Sequence, residues 1–263
     1  MQIPYEDRAQ GRSRPTPSVG RCGTLLLLTL WTSAAWAGAA RTEYPRMLPI
    51  ERYLMSDQAS EIALARTAAP KAIADKATVM TLGKDGYETA VKGTNGFVCL
   101  IFRSWSNDFD YNDFWDPKIR TPQCWNAAAA RSWLPDYFVR TSWVLAGVSR
   151  QEMAARTKAR LANHQITLPP PGSMAYMLSK DQFIHEPSPA SGPARWYPHV
   201  MFFVPATDGA PWGADVGGGP IGSATSDSEP VTTYFLVVPK WSDGTLGPYT
   251  ASSGKPQEHH HHG

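Results

Sequence analysis

Cys124 is the residue best placed in this sequence to act as a nucleophile. It stands in "TPQCWNAAAAR", residues 121–131, at the head of an alanine-rich run with high helix propensity, so a helix is expected from Gln123 to about Leu134. A thiol at a helix N-terminus meets the positive end of the helix dipole, which lowers its pKa and favours the thiolate. The competing chemistry for the same sulfur is oxidation. The chain holds three cysteines, Cys22, Cys99 and Cys124, and the first lies in a segment that reads as removable. Two cysteines left in an oxidising compartment usually pair. A Cys99–Cys124 bond would close a loop of about 25 residues and add about 3–4 kcal/mol by the chain-entropy account. The disulfide is the preferred reading and the nucleophile its alternative.

A second group with chemical potential is the acidic stretch "SNDFDYNDFWDP". Asp108, Asp110 and Asn112 fall at positions 1, 3 and 5 of a calcium loop, and Asp116 at position 9. Oxygen ligands at alternate positions can converge on one hard cation. The glycine of position 6 is replaced by Asp113 and the carboxylate of position 12 by Ile119, so half of the pattern is present. Phe109, Phe114 and Trp115 would equally pin the stretch to a core as an ordinary acidic loop. Gly217, Gly219 and Gly222 have the spacing of a dinucleotide fingerprint but lack its flanking strand and helix, and no cofactor is called for.

The order Gln123-Cys124-Trp125 ahead of a helix resembles the local pattern of papain-like cysteine peptidases. That resemblance implies a glutamine assisting an oxyanion, here Gln123, and a base histidine opening a later strand, here His199 before "VMFFV". The chain departs from the pattern in having Thr121-Pro122, and no glycine, ahead of the cysteine. Taken more broadly, "LGKDGYETAVKGTNGFVCL", "CWNAAAAR", "PHVMFFVP" and "WSDG" resemble exported bacterial proteins of unknown function, a likeness that implies no activity.

The address of the protein is legible. Arg8, Arg12, Arg14 and Arg21 precede the apolar "TLLLLTLW" and the small-x-small site Ala35-Trp36-Ala37, so residues 1–37 read as a signal peptide and the protein as exported, periplasmic or extracellular. That apolar run is shorter than the roughly 20 residues of a membrane-spanning helix, and no later run reaches that length. Removing the leader takes Lys and Arg from 25 to 21 and Asp and Glu from 23 to 21, leaving a formally neutral chain. A neutral chain without a basic stripe is a poor partner for nucleic acid. The expected partner is instead a small molecule or an envelope component. Eight of the ten tryptophans lie beyond the leader. Most are expected in the core, with Trp196 and Trp212, on Pro- and Gly-rich loops, as candidates for an aromatic-lined ligand site.

The elements that would position these residues follow from periodicity and turn chemistry. A first helix is expected over 56–67, capped by Ser56 and ended by Pro70. Three strand-like runs, 77–82, 87–93 and 97–105, are joined by turns holding Asp85-Gly86 and Asn95-Gly96, which suggests a meander. Ser149 and Glu152 form a capping box for a helix from Arg150 to about Asn163. Strands are expected at 173–179, 199–205 and 231–239, with a long Gly- and Pro-rich loop over 207–230. The sum is one α+β domain over 38–241: a mainly antiparallel sheet of about six strands with three or so packed helices, then a flexible tail over 242–263. The tail ends in His259–His262, a loose metal binder or a tag remnant. Three functions fit the sequence: a ligand or interaction module, a thiol hydrolase using Cys124 and His199, and a calcium-stabilised envelope protein.

Overall fold

The structure is a computed structural model that describes residues 44–185, 196–207, 209–217, 219–225 and 229–248. The leader read at 1–37 and the histidines at 259–262 lie outside these residues. The architecture is α+β, with one eight-stranded sheet in the order β2-β1-β3-β4-β5-β6-β8-β7. Every neighbouring pair is antiparallel except β1 and β3. Two strands more than expected are present, β4 and β7.

Helix α1 (Gln58–Arg66) is capped by Asp57 rather than Ser56, whose hydroxyl donates to the Asp57 carboxylate instead. Asp57 Oδ1 accepts from the Ser60 amide at 2.7 Å, and this bond holds the carboxyl below its usual pKa. Pro70 stops the run and opens the short α2 (Lys71–Ala74). Strands β1 (Thr78–Gly83) and β2 (Gly86–Val91) close on Lys84-Asp85, with Gly86 at φ +118°.

The expected meander ends there. Strand β3 (Val98–Phe102) does not continue beside β2 but pairs in parallel with the start of β1, Thr78 opposite Val98 and Val79 opposite Cys99. The Asn95-Gly96 turn is spent on another task. Asn95 Nδ2 donates to Ile73 O, its Oδ1 accepts from the Phe97 amide, and the amides of Thr94 and Asn95 both donate to Lys76 O. The connection therefore clasps the α2–β1 junction and delivers β3 to the far side of β1.

The expected helix at Gln123 is a second correction. Residues Thr121–Trp125 form β4, antiparallel to β3. Asn126 supplies the cap that the alanines need, its Oδ1 accepting from the Ala129 amide, so α3 begins only at Ala127 (Ala127–Ser132). Pro135 sits in the first turn of α4 (Leu134–Leu145), where a missing amide hydrogen costs nothing. Helix α5 (Arg150–Ala162) starts on Ser149 as its capping box requires. Strands β5 (Met174–Met177), β6 (His199–Pro205) and β8 (Val231–Val237) occupy the expected runs. Strand β7 (Ile221–Thr225) lies inside the loop expected over 207–230 and pairs with β8. Residues 242–248, placed at the head of the tail, fold back onto the domain: the Ser242 amide donates to Leu178 O and the Gly247 amide to Pro239 O.

Strand alternation divides the core between the two sheet faces. On one face Val79, Cys99, Ile101 and Cys124 pack against the alanines of α1 and α2. On the other, Leu100, Phe102, Trp125, Met177, Met201 and Phe203 pack against Trp133 and Leu134 of α3 and α4. A third cluster holds Trp105, Phe109, Phe114 and Trp115 beneath the acidic stretch, with Met153 of α5. Arg103 and Glu61 are also fully inside. Arg103 Nη2 donates to Glu61 Oε1 at 2.9 Å, its Nε to Tyr53 O at 2.8 Å, and Glu61 Oε1 also accepts from the Leu82 amide at 3.0 Å.

Candidate functional site

Cys99 and Cys124 are directly opposed across β3 and β4, both inaccessible to solvent, with Cα atoms 4.0 Å apart and the two sulfurs joined as a disulfide. The strand register sets Cys124 apart from His199. Cys124 stands opposite Tyr176 and Tyr176 opposite Val200, so Val200 shares the face of Cys124. His199, one residue earlier, points the other way, with Met201 and Phe203. The thiol and the imidazole expected as a pair lie on opposite sides of the sheet. Gln123 is on neither partner's service: its Oε1 accepts from the Trp125 indole at 2.9 Å. Alkylation of the native protein is expected to label neither Cys99 nor Cys124, and reduction in denaturant to release both. Rapid labelling of native Cys124 would reverse the assignment.

The acidic stretch is held by the core rather than by a cation-shaped cluster. Among the described residues no three His, Cys, Asp or Glu side chains are grouped so as to hold a metal ion, and Asp108, Asp110 and Asp116 are accordingly not drawn to one point. Asp116 is buried, and its Oδ1 accepts from the Lys118 amide at 2.8 Å. The stretch is further fixed by Arg140, whose guanidinium lies 4.2 Å over the Phe109 ring and donates to Asn107 O and to Glu229. The depression beside Arg140, between α4 and α5, encloses about 10 Å³. That is room for about one water and not for a ligand.

The two candidate tryptophans also part. Trp196 packs edge-on against His199, with ring centroids 5.0 Å apart, and His199 in turn meets Phe235 at 5.5 Å. His199 is 3% exposed. Its Nδ1 bonds Tyr197 O at 2.8 Å, so the proton sits on Nδ1, while Nε2 finds no hydrogen-bond partner among the described residues. Burial pushes its pKa down to about 4, against a small upward pull from the Tyr197 carbonyl. The imidazole is therefore neutral and enclosed, a part of the core. Trp212 is on the opposite face, stacked on Tyr234 of β8 with centroids 4.7 Å apart and planes 23° from parallel. One side of the indole is covered by this contact, and the residue is still 54% exposed.

The surface around Trp212 is built by a folded loop. The amides of Trp212 and Ala214 donate to Gly209 O, Ala214 is buried, and Asp215 takes a left-handed conformation at φ +60°. Phe202, 38% exposed and opposite Tyr234 on β6, adds apolar surface on the same face, and Val216 in the same loop is 56% exposed. Sequence reasoning found Trp212 but not Tyr234 beneath it or Asp215 behind it. The only available signal for the latter was that Asp tolerates positive φ better than most residues. Compared with protein-family models, curated proteins and solved structures, the chain matches none of them.

Proposed function

We propose that this chain is an exported, disulfide-stabilised binding module that receives a flat ligand on Trp212, foremost a sugar ring of an envelope polymer. One observation carries the reading. Large aromatic side chains are buried wherever the core can take them, and the fully buried ones here include Trp105, Trp125 and Trp133. Trp212 departs from that rule while being held rigidly by Tyr234, which leaves one face of a preorganised indole in water. Such a plane binds another plane without first losing side-chain entropy. The pairing of Cys99 with Cys124 supports export, since disulfides persist in oxidising compartments. Among the described residues no helix is long and apolar enough to cross a membrane.

The test is titration of the protein with oligosaccharide fragments of envelope polymers, followed by intrinsic tryptophan fluorescence and calorimetry. Trp212→Ala is expected to weaken binding roughly tenfold or more, as removal of an anchoring tryptophan does, and Trp212→Phe to weaken it less. Because the ring is half in solvent, neither variant should lower the melting temperature by more than a few degrees. Saccharide binding that is equal in wild type and Trp212→Ala would remove the site from this face.

A further inference from the structure

We infer that Asp215 imitates a neighbouring β-strand and closes the β7 edge of the sheet, an edge that otherwise accepts a strand from a second copy of the chain. Strand β7 is last in the sheet order, so one row of its backbone groups faces away from β8. The phase of that row is set by the ladder. Gly222 stands opposite Phe235 and Ala224 opposite Thr233, and the Val237 amide donates to Pro220 O, so the even-numbered residues bond β8. Ile221 and Ser223 therefore direct their amides and carbonyls outward. Asp215 takes one group from each: its own amide donates to Ile221 O at 2.9 Å, and its Oδ1 accepts from the Ser223 amide at 2.9 Å. Its second carboxylate oxygen accepts from the Ser223 hydroxyl.

An adjoining antiparallel strand would offer an amide to Ile221 O and a carbonyl oxygen to Ser223 N. Asp215 offers both from a single residue, the donor from its backbone and the acceptor from its side chain, and its left-handed φ of +60° accompanies this turn of the amide and the carboxylate to the same edge. The strand needs such a guard. "IGSAT" has no charge and no proline, the usual means of discouraging edge pairing. The exposed Val216 follows Asp215 directly in the chain, so apolar surface adjoins the guarded edge.

Amide hydrogen exchange on the wild-type chain and analytical sedimentation of variants test this together. In the wild type the Ser223 amide is expected to exchange slowly although it does not bond β8. Asp215→Gly keeps the positive φ but loses the carboxylate. It should speed Ser223 exchange at least about tenfold, as loss of a hydrogen bond to a charged group does, and give a mass that rises with protein concentration. Asp215→Asn, which keeps an acceptor oxygen and the amide, should sediment as the wild type does. Adding Ser223→Pro to Asp215→Gly should abolish the association, because that proline removes an outward amide and spares the bonds to β8. Fast Ser223 exchange in the wild type overturns the proposal even if no variant folds. So does an Asp215→Gly chain that sediments as the wild type, or association that survives Ser223→Pro, which would assign it to the Trp212 surface instead.

Discussion

Glu61→Ala is expected to cost about 3–5 kcal/mol of stability, the range for breaking a buried ion pair from one side. The reason lies in what is stranded. Without Glu61 the Arg103 guanidinium stays fully buried with the carbonyl oxygens of Tyr53 and Ile101 as its acceptors and no carboxylate to balance its charge, and the Leu82 amide of β1 loses its acceptor as well. Glu61→Gln should cost less, since a neutral side-chain oxygen can still accept from Leu82 while the charge balance is lost. Replacing both partners with leucine does not restore the wild-type value. Buried pairs can often be exchanged for apolar ones without loss, but Arg103 also donates to Tyr53 O and Glu61 accepts from the Leu82 amide, and each of these groups costs about 1–3 kcal/mol when orphaned, whereas Ile101 O keeps the Tyr87 hydroxyl. Urea unfolding gives the answer directly. A midpoint shift at constant slope would measure the loss, and a Glu61→Ala loss under 1 kcal/mol would show that water reaches the pair.

The second large effect is one of pH. His199 is neutral in the folded chain down to about pH 4 and titrates at an ordinary 6.5 when unfolded. Above about pH 7 both states are neutral, and this group makes stability independent of pH. As pH falls from 6.5 to 4 the unfolded state takes up a proton that the folded state refuses. Stability therefore falls, by about 3 kcal/mol in total at 1.36 kcal/mol per unit. Asp57 and Asp243, whose folded pKa values are lowered from 3.8, lose their contributions only below that window. Asp136, raised by burial, acts in the opposite sense near its lower end. His199→Phe, which fills the same place between Trp196 and Phe235, should remove most of the slope between pH 6.5 and 4. Melting curves of both proteins across that range decide it, and parallel curves would mean that His199 opens to solvent before it charges.

The elements that could be read from sequence were those whose signal is local. Ser149 and Glu152 mark the start of α5, and the apolar runs of β6 and β8 need no partner to be recognised. The misplaced elements are those that a neighbour decides. The alanines after Cys124 argue for a helix that includes it, whereas Asn126 holds the boundary and β3 claims residues 121–125 as a strand. Strand β7 has no β-branched run beyond Ile221 and exists because β8 lies beside it. The candidate site was half legible for the same reason. Trp196 and Trp212 are both aromatic residues on irregular segments, and nothing in their spacing tells which sheet face each will meet. That depends on the register of β6 against β8, which puts His199 and Phe235 on one side and Tyr234 on the other.

The clasp between β2 and β3 has a consequence for how the domain comes apart. At Gly93 a side chain would meet the Thr78 nitrogen at 2.1 Å and the Ala77 carbonyl carbon at 2.3 Å, so residues 92–97 run backbone against backbone over the entry to β1. Their far end leads into β3, which the bond from Cys99 fastens to β4. The first hairpin thus has no free end to peel from. For β1 to leave the sheet the strap must lift, and for the strap to lift β3 must move, which its covalent neighbour resists. The edge of the sheet that carries β2 is a stitched hem: the N-terminal layer and the middle of the sheet are expected to loosen together, as one cooperative unit.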